Sequence, residues 1–259
     1  MLGLFDSGLG GLTVVRRVRE LLPAHDLLFF ADQAHVPYGD RTPEDLLRLL
    51  HHNLAWLDSR GVDAIVMACN TSCAMAERFG WPQTHAPVLD LIESAALAVE
   101  RSGFTRVGVV ATAATASSGA YGRKIRARVP HAAVYETGAP DLVPLVEAGK
   151  LEGSEARAAV ERACASLPAN LDAVLLACTH FPILDAHFAA VLGSGVVRID
   201  PALVQAERTF ALVTELGLAP GTGRLECASN GDPQRFGAGL EHLIGDLHPE
   251  VHRLQGVEG

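Results

Sequence analysis

Lysine is nearly absent. Lys124 and Lys150 are the only two among 21 basic residues, which leaves 21 − 2 = 19 arginines. A mechanism that builds a Schiff base on lysine, such as pyridoxal phosphate chemistry, therefore has two candidates, and neither stands at a predicted strand end. Positive charge is also in deficit: 21 basic against 30 acidic residues gives a net charge of −9. A protein so acidic is not expected to bind nucleic acid, whose phosphates call for a basic face. Long apolar runs are missing too. Charge-free stretches such as Ala64–Ala76 fall short of the ~18–20 residues a membrane-spanning helix needs. No basic segment precedes an apolar one at the N-terminus, so neither export nor membrane attachment is expected. The five cysteines are an odd number and include no C-x-x-C spacing. That usage fits reduced thiols in the cytoplasm and gives a metal site no support. The glycine-rich turn Gly8-Leu9-Gly10-Gly11-Leu12-Thr13 has threonine where a dinucleotide fingerprint has its last glycine, and it lacks a P-loop lysine.

What is present is an α/β rhythm. The 259 residues are 49% hydrophobic, enough to bury one large core or two smaller ones. Continuous apolar runs at Leu2–Phe5, Leu27–Ala31, Ala64–Ala68, Val107–Val110, Ala173–Leu176 and Val196–Ile199 read as buried parallel strands. Amphipathic stretches at Leu12–Leu22, Pro43–Ser59 and Ser154–Ser166 read as helices between them. An internal repeat organises this pattern. Asp63-Ala64-Ile65-Val66-Met67-Ala68-Cys69-Asn70-Thr71 matches Asp172-Ala173-Val174-Leu175-Leu176-Ala177-Cys178-Thr179-His180 at an offset of 109, and Leu2–Phe5 is echoed by Val107–Val110 at 105. Two similar α/β domains follow, each a parallel sheet flanked by helices, related by a pseudo-twofold with the active site between them. Because the second copy interrupts the chain, the expected division is 1–91 plus 205–259 for the first domain and 92–204 for the second.

Ligands of open parallel sheets gather beyond the carboxyl ends of the strands, where Cys69 and Cys178 both stand. Facing halves would set the two thiols on opposite walls of one cleft. Each precedes a predicted helix, whose dipole and free N–H groups favour thiolate and draw the pKa down from about 8.5. Such thiols can exchange protons near neutrality. Cys73, one helical turn after Cys69, and Cys164 and Cys227 read as core residues. Asp6-Ser7-Gly8 and the hydroxyl-rich Thr112–Ser118 follow their strands in similar places, with helix capping as a competing role for one or two of those hydroxyls. Asp32 and Pro37-Tyr38-Gly39 read as a loop too polar for core, with Asp32 a contributor to chemistry or a turn cap. His180, two residues beyond Cys178, is placed to orient or protonate a group on that wall.

At these residues the sequence resembles the cofactor-independent glutamate racemases. The resemblance rests on Phe5-Asp6-Ser7-Gly8-Leu9-Gly10-Gly11-Leu12-Thr13, Pro37-Tyr38-Gly39, Ala68-Cys69-Asn70-Thr71 and Ala177-Cys178-Thr179-His180-Phe181-Pro182, with Val143-Pro144-Leu145-Val146-Glu147, Asp200-Pro201 and Asn230-Gly231-Asp232-Pro233 in support. It covers nearly the whole chain. It implies interconversion of L- and D-glutamate for peptidoglycan synthesis, without a cofactor or metal, by a cytoplasmic homodimer. Cys69 and Cys178 would be the catalytic acid/bases, assisted by Asp6 and His180, with Asp32 and Glu147 as further acidic contributors. Ser7, Tyr38, Gly39, Asn70, Thr71 and Thr179 would hold the amino acid together with Asp6 and His180, with Thr112 and Thr115 as helpers. Phe181 and Asn230 depart from the family pattern, which more often has Tyr and Ser there. Aspartate or a hydantoin is the rival substrate. From other classes, a non-catalytic binding protein for a small anion and a thiol redox protein also remain open.

Overall fold

In the computed structural model, which describes residues 1–253, the chain builds two parallel sheets. It begins with β1 (Leu2–Asp6), α1 (Leu12–Leu21), β2 (Leu27–Ala31), α2 (Pro43–Ser59), β3 (Ala64–Met67), α3 (Asn70–Phe79), β4 (Val88–Leu89) and α4 (Leu91–Ser102). It continues through β5 (Arg106–Ala111), α5 (Ala113–Ser118), α6 (Ala120–Arg128), β6 (Ala133–Gly138), α7 (Leu142–Glu147), α8 (Gly153–Cys164), β7 (Ala173–Ala177), α9 (Asp185–Leu192) and β8 (Val197–Ile199). The chain then returns through α10 (Ala202–Glu215), β9 (Leu225–Ser229), α11 (Pro233–Ile244) and β10 (Glu250–Arg253). Residues 254–259, which the expected first domain includes, lie outside the described residues.

The strands form as apolar runs because helices cover both faces of each sheet. All five residues of β1, β2 and β7 are buried. Helix ends carry ordinary stop and start chemistry. The Thr42 hydroxyl accepts the Asp45 N–H, Pro43 opens α2, and Glu44 and Asp45 sit in its first turn, all favourable at the positive end of a helix. The Asp90 carboxylate accepts the Ile92 N–H at the start of α4, which ends at left-handed Gly103.

The repeat reappears as topology. The first sheet runs β10-β9-β2-β1-β3-β4 and the second β6-β5-β7-β8, so β2-β1-β3-β4 and β6-β5-β7-β8 have the same order. Register agrees residue by residue. Leu2 pairs with Ala64 in the first sheet, and Val107 pairs with Ala173 in the second. The two offsets in the sequence, 107 − 2 = 105 and 173 − 64 = 109, therefore describe one superimposable pair of strands.

Four strands escape the apolar-run reading. β4 has only two residues, too few for a pattern. β6 (Ala-Val-Tyr-Glu-Thr-Gly) lies at a sheet edge and is half-buried, so it never needed a continuous apolar run. β9 is buried although it carries Glu226 and Ser229, and it pairs β2 with Leu27 opposite Leu225. β10 extends that sheet along β9.

The return to the first sheet is pinned by one side chain. Gln205 of α10 is fully buried. Its Nε2 donates to the carbonyls of Met67 at 2.8 Å and Leu89 at 2.9 Å, and its Oε1 accepts the Ser94 hydroxyl. Replacing it by an isosteric hydrocarbon strands these groups without water. Gln205→Leu is expected to lower stability by about 2–4 kcal/mol, the cost of leaving buried carbonyls and a hydroxyl unpaired. Urea unfolding followed by circular dichroism measures this.

Candidate active site

Strand register decides what stands at the carboxyl edge. Pairing Phe5 with Met67 carries Ser7 and Cys69 to neighbouring positions just beyond the strands, and Cys69 Sγ donates to Ser7 Oγ at 3.6 Å. Pairing Ala111 with Ala177 sets Thr112 and Cys178 in the equivalent places. The two ends face each other. One wall of the resulting cleft carries Asp6, Ser7, Tyr38, Gly39, Cys69, Asn70 and Thr71, and the other Thr112, Val143, Cys178, Thr179 and His180. The space left between them is about 10 Å³, room for about one water. Larger cavities of about 480 and 390 Å³ lie elsewhere on the molecule, away from both thiols.

The Cys69 wall is a short polar chain. Ser7 Oγ reaches Asp6 Oδ1 at 3.5 Å, so sulfur, hydroxyl and carboxylate follow in sequence. Asp6 also accepts the Ser7 N–H at 2.8 Å, the Gly11 N–H, and the Thr179 hydroxyl from across the cleft at 3.0 Å. Burial pushes its carboxyl up to about 6, against the pull of the His180 charge and of these hydrogen bonds. Cys69 stands at the N-terminal boundary of α3, as its strand-to-helix position implied, without a side-chain capping bond. The expected fall in pKa nevertheless does not occur. Burial, then the neighbouring Asp6 charge, pushes the thiol up to about 12, and hydrogen bonds from Ser72 and Ser7 recover only part of that. Desolvation of a sulfur anion outweighs the helix terminus here.

The Cys178 wall differs. No α-helix begins after Cys178. A 3-10 turn at Phe181–Leu184 intervenes, and α9 starts at Asp185, so the helix-terminus argument does not apply to this thiol. A histidine takes that place. His180 Nδ1 lies 3.7 Å from Cys178 Sγ, and its Nε2 is 2.7 Å from Glu147 Oε1. Burial opposes charge on the imidazole, but the bonds to Cys178 and Glu147 outweigh it and hold His180 well above the usual histidine range. Burial likewise works against Glu147, yet the His180 bond and charge, the Leu9 N–H at 3.1 Å and Arg235 hold its carboxyl below the ordinary value.

Three expected site residues stand one layer behind the cleft. Asp32 caps nothing. It is fully buried and gathers four donors: the Tyr38 hydroxyl, Asn53 Nδ2 at 3.1 Å, His35 Nδ1 at 2.6 Å and Asn230 Nδ2 at 2.5 Å. It anchors Tyr38, which is buried and not the exposed loop residue its polar surroundings suggested. Glu147 meets the cleft only through its bond to His180, and Thr115 Oγ1 reaches Thr71 Oγ1 at 3.3 Å. Thr112 serves twice, lining the cleft and capping α5 by accepting the Thr115 N–H. Cys73, Cys164 and Cys227 are core residues, as expected. Val143, Asn53 and Tyr121 were not anticipated. Asn53 did leave a signal, a polar residue on the buried face of α2 among Leu49, Leu50, Leu54 and Leu57.

Two sheets that share a four-strand order, each presenting a thiol and its polar neighbours to one cleft, define a duplicated α/β protein with its candidate site between the halves. The profile of the Asp/Glu/Hydantoin racemase family matches residues 10–209. A glutamate racemase of Gloeobacter violaceus is 42% identical over 98% of this chain and 96% of its own. Among solved structures, glutamate racemase from Thermus thermophilus in complex with beta-chloro-D-alanine superposes with a TM-score of 0.85 at 35% identity, covering 98% of this chain and 96% of that one. Glutamate racemase from Francisella tularensis subsp. tularensis SCHU S4 in complex with D-glutamate gives 0.88 at 27% identity, over 99% and 97%. The chain belongs to the Asp/Glu/Hydantoin racemase family, and by that membership it is an isomerase.

Two outcomes follow from this geometry. A Cβ on Gly10 would lie 2.6 Å from His180 Nδ1 and 2.7 Å from the His180 backbone nitrogen, and that backbone cannot give way. Gly10→Ala is expected to push the walls apart and lower turnover by about a hundredfold, the penalty of an ångström-scale misplacement, with an unchanged circular dichroism spectrum. The pKa of Cys69 rises from 9.0 to about 12, so folding favours its protonated form. That contribution to stability is complete below pH 9 and is lost as pH rises through about 12. At pH 8, iodoacetamide should therefore alkylate Cys69 of the free enzyme at least about a hundredfold more slowly than free cysteine, as peptide mass spectrometry would record.

Proposed function

We propose that this protein interconverts L- and D-glutamate by moving a proton through the plane of the α-carbon, with Cys69 and Cys178 on opposite faces. One observation carries the reading: two thiols from equivalent positions of two equivalent sheets line a single cleft. The two enantiomers are mirror images, so removal on one face and return on the other call for two acid/bases related by an approximate twofold. One sulfur, as thiolate, takes the α-proton, and the opposite thiol delivers its own. The proton inventory is then restored through Ser7 and Asp6 on one side and His180 on the other. The carbanion needs electrostatic support, which the hydroxyls of Thr71, Thr112 and Thr179 and the amide of Asn70 can direct at a substrate carboxylate. Glu147 and Asp32 act as positioning residues for His180 and Tyr38.

The names of the relatives support glutamate over aspartate or a hydantoin. We further propose that the chain divides into domains at 1–91 plus 205–259 and at 92–204. The walls would part to admit substrate, because a space of about 10 Å³ holds no amino acid. Closure then excludes water from the reacting carbon. No helix among the described residues is long and apolar enough to cross a membrane. A cytoplasmic homodimer supplying D-glutamate to peptidoglycan is the setting that the family resemblance supports.

The test is exchange of the α-proton in deuterated water, followed with L- and D-glutamate and with L-aspartate. The parent enzyme should invert glutamate with incorporation of deuterium. Cys69→Ala and Cys178→Ala should each lower inversion in both directions by roughly a thousandfold, within the range general acid–base groups supply. Near-normal inversion by either variant refutes the two-thiol assignment. Binding without exchange points to a binding protein, and turnover confined to aspartate reassigns the substrate.

A further inference from the structure

Tyr121, on α6 beyond the cleft, is fully buried, and its hydroxyl meets Asn70 Oδ1 on the opposite half of the molecule. Asn70 is the residue after Cys69, lines the cleft and is 3% exposed. Its other terminal atom, Nδ2, is buried without a hydrogen-bond partner. A carboxamide is nearly symmetric in shape but not in chemistry, since one end only accepts and the other only donates. Turned one way, Asn70 offers a substrate carboxylate two N–H groups. Turned the other way, it opposes that carboxylate with a carbonyl.

We propose that Tyr121 is a positioning residue of the isomerisation: its hydroxyl, donated to Asn70 Oδ1, locks the amide so that Nδ2 meets a carboxylate of the bound amino acid. This rests on the reading of the cleft as an amino acid site. Among the described residues the phenol has no other hydrogen-bond partner, so an inverted amide would leave the phenolic hydrogen unpaired in a dry interior, which is costly. Burial and then the nearby Cys73 and Asp90 charges push the phenol well above its ordinary range, so it stays protonated and able to donate. The unpaired Nδ2 is what a pre-set donor looks like before its acceptor arrives. Because Tyr121 and Asn70 belong to different halves, the donor is set only when those halves are together.

The experiment compares Tyr121→Phe, Asn70→Ala and the double variant, with KM and kcat measured for both enantiomers of glutamate. Removing the hydroxyl keeps the ring. Y121F should raise both KM values about ten- to a hundredfold, the range for one hydrogen bond to a charged group, with much smaller changes in kcat. In the N70A background Y121F should have no further effect, whereas a purely structural role would add its loss in full. Unchanged KM values, or full additivity, overturn the assignment. Should Y121F not fold, Asn70→Asp decides. The phenol would hold one carboxylate oxygen and aim the other at the substrate, so N70D must raise KM beyond N70A, and equal values overturn the proposal. Absence of glutamate turnover in the parent enzyme overturns the glutamate reading and this assignment together, while turnover in the parent with an indifferent Y121F overturns this assignment alone.

Discussion

Parallel pairing in register is the constraint on which the cleft depends. A strand in a parallel sheet cannot slip by one residue without turning its side chains to the other face, and the β1–β3 and β5–β7 ladders are both buried and therefore fixed. With Phe5 held opposite Met67 and Ala111 opposite Ala177, the next residues out of each sheet are delivered as neighbours: Ser7 with Cys69, Thr112 with Cys178. The chemistry is thus supported by hydrogen bonds of the main chain. The second sheet repeats four strands of the first in order and register, so the two thiols stand at equivalent edges.

The walls are equivalent in backbone and different in charge. Asp6 has Ala111 at its equivalent position in the second sheet, and Thr71 has His180. The repeat places the two thiols at equivalent positions, and each has a different partner. Cys69 communicates through a serine with a carboxyl held near 6. Cys178 lies against an imidazole that its own hydrogen bond and that of Glu147 hold well above the usual histidine range. Charges so enclosed interact more strongly than they would in water, and each is countered across the cleft. Thr179 donates to Asp6, and Leu9 to Glu147. Hydrogen bonds across the cleft are therefore among the causes that set the pKa of both carboxyls.

Away from the cleft, α6 is tied to its neighbouring helices by ion pairs, of which Lys124–Glu77 joins the two halves. Lys124, one of the two lysines, reaches Glu77 of α3 at 3.0 Å and Glu93 of α4 at 3.2 Å, and Arg128 pairs with Glu93 and Glu100. These side chains are part-exposed, so water screens them and each pair contributes modestly. The buried hydrogen bonds at the cleft are fewer but cannot be exchanged for water while the cleft is shut.

Much of this was legible along the chain. Pro43–Ser59 is a helix with the boundaries its amphipathic pattern implied, the six strands with apolar runs are present to within a residue or two, and the duplicated Ala-Cys segments name the two thiols. These features depend on neighbours within a few residues, so a linear reading reaches them. Edge strand β6 and two-residue β4 were silent because neither needs a continuous apolar run. The partners of Asp32, Glu147 and Tyr121 were not readable either, since each lies far away in the chain: Asn230 for Asp32, His180 and Leu9 for Glu147, Asn70 for Tyr121. The thiol of Cys69 makes the distinction sharpest. Sequence alone determined that it follows a buried strand and begins a helix, because both are local. Only the tertiary structure decided that it remains protonated, because the burial and the Asp6 charge that raise its pKa come from packing the whole molecule around it.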